Sequence, residues 1–187
     1  DVGARVEERG RSGFAHLFEH MMFEGSANVG KGEHFRLIST RGGSFNGTTS
    51  EDRTNYFETL PSSAVELGLF LEADRMRSLN ISAENFENQR QTVMEERRQS
   101  YENRPYMLSF LRRDELAYQG YFPYEHSTIG DMRDLQAATL ADVRAFHDRY
   151  YAPDNAVISV AGDFEPAQLM EMVRRHFGMI PARRAPA

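Results

Sequence analysis

The chain has 187 residues, of which 28 are Asp or Glu and 22 are Lys or Arg, and its formal net charge is −6. A nucleic-acid-binding surface needs a concentrated basic face, so we expect no nucleic-acid partner. The hydrophobic content of 40% excludes a wholly disordered chain. The absence of cysteine excludes disulfides, thiolate metal sites and a cysteine nucleophile.

Membrane-spanning and secretory segments are not indicated by the sequence. The most apolar stretch, residues 65–73, is interrupted by Glu66, Gly68 and Glu72, whereas a membrane helix needs roughly 20 apolar residues. We therefore expect no membrane span. The first residues are charged and do not resemble a signal peptide, and the chain begins with Asp instead of Met. We expect a processed or excised piece of a longer protein, whose compartment the sequence does not indicate.

The first predicted elements are two helices. Apolar periodicity and end signals predict a helix at 13–24, with Ser12 as its N-cap and Gly25 at its end. A second helix is predicted at 34–41, before a pair of glycines. The Thr, Tyr and Phe residues within 44–60 then predict two β-strands.

Helices predominate in the rest of the chain. They are predicted from the cap at 61–63 as far as residue 77, and at 83–102, 106–118, 140–150 and 165–177, with Ser82 and Thr139 as N-caps. Residues 156–161, AVISVA, are predicted to form the clearest buried strand. Because helices separate the strands, we predict an α+β fold in which a mixed or antiparallel sheet is layered with several helices.

The motif with chemical content is His16-Leu-Phe-Glu19-His20. On a helix, residues four apart lie about 40° apart around the axis, so both imidazoles can face one metal ion and Glu19 can reach a water beside it. Two imidazoles, one carboxylate and an open water position form a catalytic zinc site, and this spacing is that of zinc peptidases in inverted order. The alternative is a helix with two ordinary surface histidines.

A third ligand has to come from another element, and the helix predicted at 83–102 offers Glu96. Phe86, Gln89, Val93 and Glu96 share one face of this helix, whereas Glu95 points toward solvent. A carboxylate on an apolar stripe is costly to bury unless it pairs with a charge or a metal. The alternative for Glu96 is a partly buried salt bridge. The remaining histidines are predicted to be ordinary surface or loop residues: His34, His126, His147 and His176.

The chain resembles the N-terminal catalytic domain of the pitrilysin/insulinase family of zinc metallopeptidases, which includes the mitochondrial processing peptidase. The resemblance rests on five runs that occur in the family's order and cover nearly the whole chain: GFAHLFEHMMFEGS, GGSFNGTTSEDRTNYF, NQRQTVMEERRQ, PYEHSTIGDMRDL and YYAPDNAVISVAGDF. It implies a pitrilysin-like catalytic domain over residues 1–181, without the strands that usually open this domain, followed by a linker or tail at 182–187.

The resemblance also implies roles for individual residues. It makes His16 and His20 ligands of one Zn²⁺ per chain, Glu96 the third ligand and Glu19 the general base. Many members carry a second carboxylate where this chain has Gln89. We expect Gln89 to lie beside the metal ligands and to orient one of them by a hydrogen bond without adding charge.

A substrate-binding edge is implied as well. In the family, an extended peptide adds as a strand to the edge that corresponds to residues 44–50. Asn46 and Gly47 match the family's Asn-Ala at this edge and are implied to contact the substrate backbone. Because Asn-Gly is a common hairpin signal, the alternative is a simple turn.

The sequence thus predicts a zinc metalloendopeptidase that hydrolyses extended peptides or small unfolded polypeptides. The resemblance implies that a second homologous domain or a partner subunit supplies the other half of the substrate chamber, including an Arg/Tyr pair that completes the site. One alternative is a non-catalytic peptide-binding or scaffold subunit of the same family. Another is a helical domain without a metal.

Overall fold

The computed structural model describes residues 2–182, and this part of the chain is mostly helical with a small two-stranded sheet. The strands are β1 (Ser44–Thr49) and β2 (Thr54–Thr59). The helices are α1 (Phe14–Met21), α2 (Glu33–Ser39), α3 (Val65–Ser78), α4 (Ala83–Arg97), α5 (Met107–Ala117), α6 (Phe122–Glu125), α7 (Met132–Ala137), α8 (Leu140–Tyr150) and α9 (Pro166–Phe177). The predicted α+β class is confirmed. From residue 183 onward, the predicted tail at 182–187 lies outside the described residues.

Most predicted helices are present, and local side-chain caps mark the starts of α4 and α8. The backbone N–H of Asn85 donates to Ser82 Oγ over 3.1 Å at the start of α4. At the start of α8, the N–H of Asp142 donates to Thr139 Oγ1 over 3.3 Å, and the N–H of Thr139 donates to the Asp142 carboxylate over 3.0 Å. Such caps satisfy N–H groups that have no partner within the helix. The helix predicted at 83–102 ends as an α-helix at Arg97 and continues as one π-helical turn, Arg98–Glu102.

The two strands predicted within 44–60 are confirmed, and their connection lies at residues 50–53. Ser50 N–H donates to the carbonyl of Arg53 over 2.8 Å, which closes the hairpin there. Asn46 and Gly47 therefore lie inside β1, and the interpretation of this dipeptide as the hairpin turn is wrong.

The strand predicted at 156–161 is wrong. These residues have no regular secondary structure, and the side chains of Val157 and Ile158 are 96% and 46% exposed. A strand exists only when its N–H and C=O groups pair with a neighbouring strand. Within residues 2–182 no segment pairs with residues 156–161, so these residues form no strand although their composition favours one.

The chain divides into two compact units. The first comprises the residues up to Met21 together with Gly47–Asn55 and Ile81–Asp148. In this unit α1 packs against α4, and both helices contribute fully or nearly fully buried apolar side chains. These side chains are Phe14, Leu17, Phe18 and Met21 from α1, and Phe86, Val93 and Met94 from α4.

The second unit comprises Met22–Asn46, Tyr56–Asn80 and the chain from Arg149 onward. Its core is built on Val29, Ile38 and Leu71, and α3 packs against α9. Both units thus have an apolar centre of their own. Among the described residues, no helix combines the length and the apolar character that crossing a membrane requires.

Candidate metal centre

Helix α1 carries the motif residues because its apolar side fixes it in the first unit. Phe14 and Phe18 pack on Phe146 of α8, with ring centroids 6.3 and 6.1 Å apart. Burial of this face leaves His16 and His20 on another side of the helix, where they are half-buried. The two rings are 4.8 Å apart and nearly perpendicular.

The start of α1 is capped by a distant carboxylate. Glu7 accepts hydrogen bonds from the N–H groups of Gly13 and Ala15 over 2.8 and 2.7 Å. Nε2 of His126 lies 2.8 Å from the same carboxylate. The prediction of Ser12 as N-cap is wrong, because its hydroxyl donates to Asp134 and accepts from a backbone N–H of the α7 region instead. A carboxylate at this end also interacts favourably with the helix dipole.

The structure brings His16, His20 and Glu96 together. Oε2 of Glu96 lies 3.7 Å from Nε2 of His16 and 3.4 Å from Nε2 of His20. One donor atom from each of the three residues lies within 4.8 Å of the others. We call these three residues the α1 site. Glu95 is exposed and pairs with Arg98 and Gln99 along the surface of α4.

Gln89 lies beside the α1 site. Its side-chain oxygen is 3.2 Å from Nδ1 of His20. An amide oxygen only accepts hydrogen bonds, so Nδ1 of His20 carries a proton and Nε2 is the ring nitrogen that faces Glu96. Nε2 donates to Glu96 when the ring is protonated, and it would offer its lone pair to a metal ion that displaces this proton. Gln89 thereby fixes the tautomer of His20, as the carboxylate beside a metal-bound histidine does in other metal sites.

The electrostatics of the α1 site suit a cation. Burial, and then the charge of His20, lower the pKa of His16 to about 4, so its imidazole is neutral at pH 7. Burial opposes protonation of His20, but the hydrogen bond and charge of Glu96 outweigh it and raise the His20 pKa. The hydrogen bond from His20 lowers the pKa of Glu96. Two imidazoles and one anionic carboxylate match a zinc donor set. A zinc ion would compete with a proton for the same imidazole lone pair, so a neutral imidazole favours metal binding.

Glu19 does not join the α1 site but turns toward β1. Its side chain is buried, and its Oε2 accepts a short hydrogen bond from the hydroxyl of Thr49. Burial raises the pKa of Glu19, although the hydrogen bond from Thr49 opposes the shift. A buried carboxylate with a raised pKa beside two imidazoles is suited to accept and release a proton.

Gly47 lies directly against Glu19. A Cβ atom at Gly47 would be 2.7 Å from Oε1 and 2.9 Å from Cγ of Glu19, too close for either to stay in place. Asn46, the preceding residue of β1, is exposed. The Gly at this position therefore decides where the carboxylate of Glu19 can lie.

Sequence reasoning missed Thr49 and Glu7. Thr49 appeared only as a strand-forming residue, and Glu7 lies six residues before the first N–H that it caps, a longer interval than a local cap spans. The prediction that the other histidines are ordinary surface or loop residues is wrong for His34, which is 5% exposed on α2. His126 does lie in a loop, with its side chain 12% exposed. His147 and His176 lie on helices, with side chains 13% and 18% exposed.

Comparison with protein families gives two matches. Residues 1–130 match the insulinase family, peptidase family M16, and residues 137–187 match the family described as the peptidase M16 inactive domain. Every residue of the α1 site, together with Glu19, Gln89 and Thr49, lies in the first match.

Individual relatives point the same way. A zinc protease, PqqE, of Helicobacter pylori is 39% identical over 94% of this chain and 39% of its own length. An uncharacterized zinc protease of Mycobacterium leprae is 30% identical over 95% of this chain and 39% of its own length. The crystal structure of a protease from Helicobacter pylori superposes with a TM-score of 0.94 at 36% identity, over 100% of this chain and 45% of that one. The chain thus spans about two fifths of the length of these relatives.

Proposed function

The chain belongs to the insulinase family of peptidases, family M16, and on that premise we propose that it carries the metal-binding part of a zinc metalloendopeptidase. The observation that carries the proposal is the convergence of His16, His20 and Glu96, which come from two helices and meet within 4.8 Å. All three belong to residues 1–130, and we take residues 1–181 as one catalytic domain.

We assign His16, His20 and Glu96 as the ligands of one Zn²⁺. The neutral His16 and the tautomer of His20 that Gln89 selects both offer Nε2 lone pairs, and Glu96 supplies the negative charge. A zinc ion held by these residues would supply a Lewis acid for the peptide carbonyl and for a water molecule. Gln89 orients His20 but adds no charge, so the donor set carries a single anionic ligand.

Glu19 is the proposed general base. Its raised pKa allows it to take a proton from the attacking water and to deliver that proton to the leaving amine. Thr49 holds one carboxylate oxygen, Oε2, and the other oxygen, Oε1, lies over Gly47. The base is therefore held against the strand on which the substrate is proposed to lie.

The proposed substrate is an extended peptide that adds along β1 near Asn46 and Gly47. Backbone pairing at a strand edge gives affinity without demanding a sequence, which suits extended peptides or small unfolded polypeptides. Because the chain spans about two fifths of its relatives' length, we propose that a second homologous domain or a partner subunit completes the substrate chamber.

The test is the zinc content and the peptidase activity of the full-length protein, purified without chelator. Glu96→Ala is expected to lose one zinc equivalent relative to wild type, whereas Glu95→Ala, a substitution at the exposed neighbour, is expected to keep it. Glu19→Gln is expected to keep the zinc and to lose about 100-fold or more in kcat on an unfolded polypeptide, because the amide cannot accept the proton.

Equal zinc in wild type and Glu96→Ala would remove Glu96 from the metal site. Wild-type turnover by Glu19→Gln would remove Glu19 from the mechanism. A wild-type protein that binds zinc and an unfolded polypeptide but releases it uncut would favour the scaffold function, to which the match of residues 137–187 with an inactive domain also points.

A further inference from the structure

A second group of metal-ligating side chains lies in the second unit. His34 on α2, Glu58 on β2 and Glu72 on α3 each bring one donor atom within 4.8 Å of the others. We call these residues the His34 cluster. It shares no residue with the α1 site, and the proposed peptidase activity does not use it.

His34 supplies a buried ring nitrogen that has no hydrogen-bond partner. The residue is 5% exposed, and its Nε2 is buried and makes no hydrogen bond. Phe23 and Phe45 meet the imidazole edge-on, with ring centroids 5.8 and 5.2 Å away, so aromatic side chains fix its plane. Burial, followed by the charge of Arg75, lowers the pKa of His34 to about 4. The imidazole is therefore neutral at pH 7, the form that binds metals.

Glu58 supplies a carboxyl group that no N–H or O–H group of the protein stabilises. Both of its carboxyl oxygens are buried and receive no hydrogen bond from a protein donor. Burial, and then contact with the carboxyl group of Glu72, to which a protonated Glu58 would donate a hydrogen bond, raise the pKa of Glu58 to about 9. A buried carboxylate without donors is costly, so this position requires either a proton or a cation.

Glu72 belongs to the His34 cluster and also forms an ion pair with a neighbouring arginine. Its carboxylate pairs with the guanidinium of Arg75, through Nε over 3.1 Å and through a second, shorter contact from Nη2. Arg75 is itself held in place by the rings of Phe23 and Tyr56, which lie 5.1 and 4.7 Å from its guanidinium carbon. Arg75 pairs with Glu72, so a negative charge on Glu58 would have no ion pair of its own among the described residues.

The spacing of the cluster suits a bridging ion. A ring nitrogen of His34 lies within 4.8 Å of the carboxylate oxygens, yet its buried Nε2 is in hydrogen-bond contact with nothing. Two bonds of about 2.1 Å, as zinc makes to nitrogen and oxygen, cover a separation of this order. Mixed nitrogen and oxygen donors favour a first-row divalent cation such as Zn²⁺ or Mn²⁺ over Ca²⁺.

We propose that His34, Glu58 and Glu72 form a second, structural binding site for a divalent cation of the zinc or manganese type, which ties α2, β2 and α3 together. The ion takes the lone pair of His34 and one carboxylate oxygen from each glutamate. Arg75 stays on the other side of Glu72 and orients that carboxylate, as hydrogen-bonding neighbours of metal-bound carboxylates do.

The deciding variant is Glu58→Gln, made in the full-length protein. Glutamine has the shape of a protonated glutamate, so this variant preserves the cluster if a proton occupies it, but it removes an anionic ligand if a cation does. Glu66→Gln is the matched control, because it makes the same substitution on α3 at an exposed position that pairs with Arg175. Glu96→Ala serves as the background in which the α1 site is disabled.

Zn²⁺ and Mn²⁺ are each titrated by calorimetry into these proteins after treatment with chelator. We expect Glu96→Ala to bind one equivalent of at least one of the two ions and to unfold at a higher temperature when it is bound. Adding Glu58→Gln is expected to weaken that binding at least about 10-fold, whereas adding Glu66→Gln leaves it unchanged. In the wild-type background, Glu58→Gln is expected to lower the total metal content by one equivalent.

Absence of binding of both ions by Glu96→Ala would overturn the proposal, as would binding that Glu58→Gln leaves unchanged. A Glu58→Gln protein with wild-type metal content and wild-type unfolding temperature would assign a proton to Glu58 and would equally overturn it. None of these outcomes bears on zinc at the α1 site, which Glu96→Ala tests separately.

Discussion

At the scale of single residues, Thr49 and Gly47 decide where the carboxylate of Glu19 lies. Thr49 donates a hydrogen bond to Oε2, and the missing Cβ of Gly47 leaves the space that Oε1 and Cγ occupy. The family resemblance implies Ala where this chain has Gly47. In this chain the Cβ of an alanine at that position would lie within 3.0 Å of Glu19, so the side chain of Glu19 would have to shift.

Thr49→Val tests this arrangement, because valine keeps the branched shape that suits β1 but has no hydroxyl. A hydrogen bond to a charged group contributes about 1.5–3 kcal/mol, so we expect kcat to fall about 10-fold or more while KM and zinc content stay unchanged. Steady-state kinetics and elemental analysis of the full-length protein measure these quantities.

Thr49→Ser is the matched variant and should restore most of the lost kcat, since it returns the hydroxyl without the methyl group. If Thr49→Val and Thr49→Ser lose kcat equally, packing of the methyl group and not the hydrogen bond supports Glu19. Unchanged kcat in Thr49→Val would mean that Glu19 needs no such support.

At the scale of elements, α1 depends on a carboxylate that lies beyond the reach of a local cap. Glu7 caps the N–H groups of Gly13 and Ala15 and contacts His126, whose Nδ1 in turn lies 2.6 Å from the carbonyl of Phe122. Both ring nitrogens of His126 therefore face acceptors, which favours the charged form with two N–H donors. The pair connects α6 to the start of the helix that carries the α1 site.

This contact predicts a pH dependence of stability. Burial opposes charging of His126, but the hydrogen bond and charge of Glu7 outweigh it and raise the His126 pKa above its usual value of about 6.5. The folded state therefore holds this proton more tightly than the unfolded state. The resulting stabilisation is complete below about pH 6.5 and is lost as the pH rises through the folded-state pKa.

Urea unfolding of the full-length protein at several values between about pH 6 and 9 measures this effect. We expect the free energy of unfolding to fall over this range in wild type and to fall less steeply in His126→Asn, which cannot titrate. Glu7, whose pKa burial raises, acts in the same direction. Identical slopes in wild type and His126→Asn would contradict the assignment.

At the scale of the whole molecule, several large apolar side chains are exposed outside the two cores. Val157 and Ile158 lie in the segment predicted as a strand and are 96% and 46% exposed, and Leu108, Phe110 and Leu116 of α5 are about half exposed. Exposed apolar side chains of this size promote self-association when they form a contiguous patch. An extended segment with unpaired backbone groups adds to that tendency.

We therefore expect residues 1–187, produced alone, to self-associate and to bind a hydrophobic dye more strongly per mole than the full-length protein. Val157→Glu should reduce both effects, because it places a charge in the apolar segment. Ser159→Glu is the matched control, since it adds the same charge at an exposed polar residue two positions away.

Sedimentation and dye fluorescence measure the two quantities. A monomeric chain with little dye binding would show that the exposed side chains of residues 156–161 are harmless in isolation. Equal improvement by both variants would assign the effect to net charge instead of to Val157.

The sequence predicted much of the fold and of the candidate site. The helix periodicity of residues 83–102 put Glu96 and Gln89 on one face, and the structure has Glu96 within 3.4 Å of His20 Nε2 and Gln89 within 3.2 Å of His20 Nδ1. Ser82 and Thr139 were recognisable as caps because a cap acts within three residues of its own position. The two strands within residues 44–60 followed from their Thr, Tyr and Phe residues, which favour strands.

The sequence by itself determined what depends on spacing along one element: the pairing of His16 with His20, the face of α4 that bears Glu96, and the two strands of the hairpin. Only the tertiary structure decided what depends on contact between distant elements. It made Glu7 the cap of α1, turned Glu19 toward Thr49, buried His34 beside Glu58 and Glu72, and left residues 156–161 unpaired among the described residues. The physical reason is that periodicity fixes which residues share a face, whereas burial, pKa and strand pairing depend on which other face packs against it.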